Sequence, residues 1–169
     1  TKAMNKELEN MWAKKLGLIT YDASLINEML QLMLQSKVDY TIFFRKLSNI
    51  PDNLAEIKES FYLTSSEQLD IKWISWLGRW QELIRKSGEQ KEISEEMKLV
   101  NPKYTWREWL IAPAYEHAEK GDYRLTKELQ SILANPYEEQ SLEVEKKYFR
   151  LKPKKFFNSG GISHYSCSS

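Results

Sequence analysis

Few side chains in this sequence have the chemistry of a catalyst. Cysteine occurs once, as Cys167 in the closing string GGISHYSCSS, and histidine twice, as His117 and His164. Cys167 and His164 stand at helical spacing, where an imidazole can take a thiol proton. The surrounding string is rich in Ser and Gly, however, and predicts an extended tail that would neither fix that geometry nor exclude water. An unperturbed thiol, with a pKa of about 8.5, is only roughly a few per cent thiolate at neutral pH. Lys154, Lys155 or a protonated His164 are the neighbours able to raise that fraction. A single cysteine makes no internal disulfide, so a partner thiol would have to come from another chain or from residues outside this sequence.

The other chemical candidates are weaker. His117, in the helical string YEHAEK, has the pattern of a partly exposed helix residue. There is no HExxH and no CxxC, and two His with one Cys make a poor zinc set. The glycines stand singly, apart from Gly160 and Gly161, so no phosphate-cradling loop is present. Trp73, Trp76 and Trp80 could stack on a base or a sugar, but their three- and four-residue spacing favours a core face. The pairs Glu95–Glu96 and Glu138–Glu139 fit solvated faces or loops. Residue chemistry alone therefore gives a helical module with no catalytic, cofactor-binding or metal residues in view.

The elements that would position these groups are helices. Met4, Leu8, Met11, Trp12 and Leu16 recur at helical spacing and end at Gly17, a C-terminal cap. Asp22 precedes a second stripe of Leu25, Ile26, Met29, Leu30, Met33 and Leu34. A short helix follows Asp39 with Ile42, Phe43 and Leu47, and another follows Pro51 and Asp52. The string SSEQLDIKWISWLGRWQELIRKSG predicts the longest helix, with Ser65 and Gln68 as a capping box and Gly88 as its stop. Thr105 and Glu108 predict a second capping box for TWREWLIAPAYEHAEKGD, with a kink or a break at Pro113. Asp122 caps one more helix through Leu125, Leu129, Ile132 and Leu133. No alternating apolar run, hairpin turn or repeat register is present. The expected fold is an all-α irregular bundle of about seven or eight helices, spanning residues 1–150, with an extended tail over 151–169.

Composition bounds the function classes. With 41% hydrophobic residues, six Trp and nine Tyr, the chain can bury a core. A net charge of +1 lacks the basic excess of a dedicated nucleic-acid or anionic-membrane binder. No apolar run reaches the roughly eighteen residues of a membrane span. No signal peptide is visible, and a chain that starts with Thr1 is expected to be a fragment or a processed product.

Several strings, in order, resemble the C-terminal part of the selenoprotein O family of protein adenylyltransferases. They are KLGL at Lys15–Leu18, FRKLS at Phe44–Ser48, NPKY with Arg107 and Leu110 after it, AEKGD at Ala118–Asp122, NPYEEQ at Asn135–Gln140, and the terminal SCSS. The resemblance implies a kinase-like fold that moves AMP from ATP to Ser, Thr or Tyr hydroxyls of protein substrates. It implies that ATP and Mg²⁺ are bound by kinase-like lobes upstream of this segment, which would buttress the large lobe and contribute no catalytic residue. It implies a redox-regulatory role for Cys167, which stands where some members carry selenocysteine, with a possible disulfide to a cysteine outside the segment. Family membership implies a mitochondrial location in a eukaryote, the expectation favoured here, and a cytoplasmic one in a bacterium. The competing expectation is a non-catalytic helical protein-interaction module.

Overall fold

The computed structural model describes residues 2–157. The described residues form nine α-helices and one short 3-10 turn, without a strand. The chain divides into two compact units, with the division between Pro102 and Lys103.

The first unit holds α1 (Lys2–Lys15), α2 (Ala23–Ser36), α3 (Tyr40–Leu47), α4 (Leu54–Lys58), α5 (Glu67–Ser87) and α6 (Gln90–Val100). Its core is organised by α5. Trp73, Trp76, Trp80 and Ile84 recur at three- and four-residue spacing and are completely buried, so the tryptophan face is core. Burying a large apolar side chain contributes about 2–3 kcal/mol, but an indole also carries an N–H that must find an acceptor. Each one does. Trp73 donates to Ser36 Oγ at 2.8 Å, Trp76 to the Leu25 carbonyl at 2.9 Å, and Trp80 to the Leu16 carbonyl at 2.9 Å. The Trp76 and Trp80 rings stack with planes 6° apart, and Trp73 meets Trp76 edge-on.

Local signals set the helix ends. Asp22 accepts from the Leu25 N–H and Asp39 from the Ile42 N–H, as N-caps do. Gly17 closes α1 at φ +65°, with the Leu18 N–H reaching the Ala13 carbonyl at 2.9 Å. A Cβ at this glycine would lie 2.5 Å from Ile93 Cγ2 and 2.8 Å from Met97 Sδ. Gly17 thus serves both the left-handed turn and the close approach of α6.

The second unit holds α7 (Glu108–Glu119), α8 (Arg124–Ala134), α9 (Leu142–Tyr148) and the 3-10 turn Lys154–Phe156. Its smaller core gathers Tyr104, Ala114, Leu129, Ile132 and Tyr148. The Pro136 carbonyl accepts from the Lys103 and Tyr104 N–H groups, at 2.8 and 3.1 Å.

Several local expectations are corrected. Helices α6 and α9 were not predicted: α6 carries only Ile93 and Met97 as buried residues amid charge, and α9 is a short helix with one buried residue. Of the kink or break expected at Pro113, the break is absent, since α7 runs from Glu108 to Glu119 through it. The cap of α5 is Ser66, whose Oγ accepts from Leu69, while Ser65 Oγ turns to the Asp70 carboxylate. Helix α7 starts at Glu108, with Arg107 rather than Thr105 at the cap position and no capping bond from the Arg107 side chain. Asp122 accepts from the Arg124 N–H two residues on, a local turn, and α8 begins after it.

Candidate functional site

Cys167 and His164 lie outside the described residues. His117 sits exposed in the last turn of α7, with Nδ1 3.4 Å from Asp122 Oδ2. The same Asp122 is held by the Arg124 guanidinium, which keeps its carboxyl well below the usual range. These three groups close the helix-to-helix turn of AEKGD, where the Asp122 N–H reaches the His117 carbonyl at 3.0 Å. Glu95 pairs with Lys98 on α6, and Glu139 with the buried Lys103. Among the described residues no group of three or more His, Cys, Asp or Glu side chains is placed to hold a metal ion.

The densest buried polar cluster ties together α1, α3 and the end of α6. Its centre is Asn101, 1% exposed. The Asn101 amide donates to the Lys15 carbonyl at 2.9 Å and to Ser48 Oγ at 3.0 Å, and its Oδ1 accepts from Lys15 Nζ at 2.7 Å. Arg45 Nη1 donates to the Lys98 and Asn101 carbonyls, both at 3.1 Å, and so caps the C-terminal end of α6 with positive charge. Ser48 Oγ donates back to the Phe44 carbonyl, and Ser94 Oγ donates to the Ser48 carbonyl. The cluster satisfies carbonyls that helix termini leave open, which is what a buried joint between three helices requires.

Lys15 is the unusual member. Its residue is 8% exposed, and its amine lies 4.4 Å from the Phe44 ring centre and 5.1 Å from that of Tyr40. No carboxylate among the described residues pairs with it. Burial without a counter-charge lowers its pKa to about 8. The neighbouring Tyr40 hydroxyl is pushed up, also by burial. Lys15 lies at the edge of a cleft of about 380 Å³ lined by Glu7, Asn10, Met11, Lys14, Tyr40 and Val100. The cleft can therefore accept a small anionic group beside an uncompensated cation.

None of Lys15, Arg45, Ser48 and Asn101 has a motif-level signature as a functional residue. The signal that finds them lies in the strings KLGL, FRKLS and NPKY: one contributes Lys15, the next Arg45 and Ser48, and the last Asn101. The strings are sequence-remote, and the fold brings them into one joint. In the second unit, NPKY and NPYEEQ meet likewise, through Lys103 with Glu139 and through the Pro136 carbonyl.

The described residues thus form an all-α fold in which the family-like strings meet in buried joints, and comparison with known proteins gives the family. The family described as "Protein adenylyltransferase SelO" matches residues 1–134, and the chain belongs to that family. It is 32% identical over 176 residues to a "Protein nucleotidyltransferase YdiU" of Flavobacterium johnsoniae, covering 96% of this chain and 33% of the relative. Proteins of the same description from Aromatoleum aromaticum and Stutzerimonas stutzeri are 29% and 38% identical, over 99% and 70% of this chain. The chain spans about one third of the length of these curated relatives. No helix among the described residues is long and apolar enough to cross a membrane.

Proposed function

We propose that this chain is the C-terminal helical part of a protein adenylyltransferase, and that the full-length protein moves AMP from ATP to Ser, Thr or Tyr hydroxyls of proteins. The observation that carries the reading is the family match over residues 1–134 together with a span of only 33% of a relative described as a nucleotidyltransferase. ATP and Mg²⁺ are assigned to kinase-like lobes outside this chain, and the helices here to bracing the large lobe. The bacterial relatives favour the cytoplasm; nothing in them supports the mitochondrial alternative.

Cys167 is assigned a regulatory role within this reading. Its thiolate attacks a disulfide of a small oxidant, releasing one thiolate. A cysteine thiolate outside this chain then displaces the second, leaving a disulfide to Cys167 and two reduced small thiols. A full-length Cys167→Ser protein should lose the response of its transfer rate to oxidant and reductant; an unchanged response removes the role.

The activity itself is tested on the full-length protein with Mg²⁺ and ATP labelled on the α- or the γ-phosphate. Label retained on protein from the α position only is the expected result. Retention from the γ position defines a kinase and overturns the assignment. No transfer from either, before or after reduction, favours the non-catalytic interaction module.

A further inference from the structure

None of the residues at the N-terminal part of α1 is buried among the described residues. Residues 2–11 are all exposed, although the helix runs unbroken from Lys2 to Lys15. Met4, Leu8 and Met11 are 68%, 53% and 37% exposed. A helical segment this short is marginal in water without tertiary contacts. Met4, Leu8, Met11 and Lys15 follow one another at four, three and four residues, and so share an arc of about 60° on the helix. The apolar stripe leads straight to the buried amine and its open cleft. The cleft lining carries one carboxylate, Glu7, which lies two turns back along α1, about 12 Å from Lys15. Apolar surface and an uncompensated cation thus lie side by side on one face.

We propose that this face is the docking surface for a segment of the longer polypeptide, one that lays apolar side chains on Met4, Leu8 and Met11 and sets a carboxylate in the cleft beside Lys15. The inference rests on the reading of the chain as part of a longer adenylyltransferase. Three observations select this occupant. The relatives carry about two thirds of their length outside the matched region, so ample chain is available to cover the face. The stripe matches an apolar partner surface. The amine lacks the counter-charge that a buried cation ordinarily has, and an acidic side chain is the group that supplies it.

The test is acetylation footprinting at pH 8, read by mass spectrometry at Lys15, with the exposed Lys91 of α6 as internal reference. With a pKa of about 8, roughly half of the Lys15 amine is in the neutral form that acetylation needs at this pH in the 169-residue chain. A carboxylate beside it restores the charge and the segment covers it. Labelling of Lys15 relative to Lys91 should therefore fall at least tenfold in the full-length protein. Leu8→Glu in the full-length protein should bring it back. Equal labelling in both proteins overturns the proposal. Protection that appears only as protein concentration rises assigns the face to a second copy and overturns it equally. Protection that needs an added protein does the same in favour of a separate partner. The outcome is independent of the labelled-ATP assay. A protected Lys15 in a protein that transfers no AMP leaves the docking intact and removes the catalytic reading. The reverse result does the opposite.

Discussion

Replacing Lys15 with methionine keeps an unbranched stem and removes the titrating amine, and the consequence can be worked through as a function of pH. In the folded chain the amine has a pKa of about 8, lowered by burial, against about 10.4 when unfolded. Well below pH 8 both states hold the proton, so Lys15 contributes nothing there to the slope of stability with pH. Between pH 8 and about 10.4 the unfolded chain holds a proton that the folded chain has released, so stability rises with pH. Integrating that difference from pH 7 to 9.5 gives about 2 kcal/mol. Other lysines and tyrosines titrate in both proteins and cancel when the variant is subtracted. Tyr40 stays neutral over this range, because burial raises its pKa. The assay is urea unfolding followed by tryptophan emission at pH 7, 8, 9 and 9.5 for wild type and Lys15→Met. The wild type should gain on the variant by about 2 kcal/mol across the series, most of it above pH 8. Curves that stay parallel to within about 0.5 kcal/mol would refute the account of Lys15 as an uncompensated buried amine.

Other positions give sharper single-condition tests. Gly17→Ala places a Cβ against Ile93 and Met97 at a left-handed φ, and should cost about 2–4 kcal/mol in the same urea assay. Asn101→Ala leaves the Lys15 amine, the Lys15 carbonyl and Ser48 without its amide, and should cost about 3–5 kcal/mol, more than a cavity of that size alone. Trp80→Phe removes the indole donor from the buried Leu16 carbonyl and opens a small cavity, with an expected loss of about 2–3 kcal/mol by thermal unfolding. Ser66→Ala should lower stability by about 1 kcal/mol and Ser65→Ala should leave the start of α5 in place, since only Ser66 bonds the Leu69 N–H.

What the sequence disclosed depended on how local each signal is. Helix α5 was legible because seven apolar residues from Leu69 to Ile84 repeat at helical spacing over about four turns, and large aromatic residues there have nowhere to go but a core. The caps at Asp22 and Asp39 were legible because a cap is a contact between neighbours in sequence. Helix α6 was not, since Glu89 gives its start no side-chain bond and charge surrounds its two buried residues. The joint at Asn101 was hidden for a different reason: the amide meets Lys15 across 86 positions and Ser48 across 53, and nothing local marks a polar residue as a distant partner. The α1 stripe misled in an informative way. Its spacing is that of a buried face, yet the stripe is exposed in this unit, which is the pattern expected when the surface it serves lies on another segment.

The three indole bonds of α5 also constrain the order in which the first unit can be assembled during synthesis. Trp73, Trp76 and Trp80 reach back 37, 51 and 64 positions, to the end of α2, the start of α2 and the end of α1. Each bond closes a longer loop than the one before it along α5, and the loops are nested. A chain that grows from its N-terminus therefore completes α1 to α4 well before the helix that holds them exists, and their apolar faces wait in solvent for it. Translation through Trp80 then supplies all three anchors within about two helical turns. The unit passes from an open set of helices to a closed one in a single short stretch of synthesis, and that stretch is where a pause or a truncation would leave the most aggregation-prone intermediate.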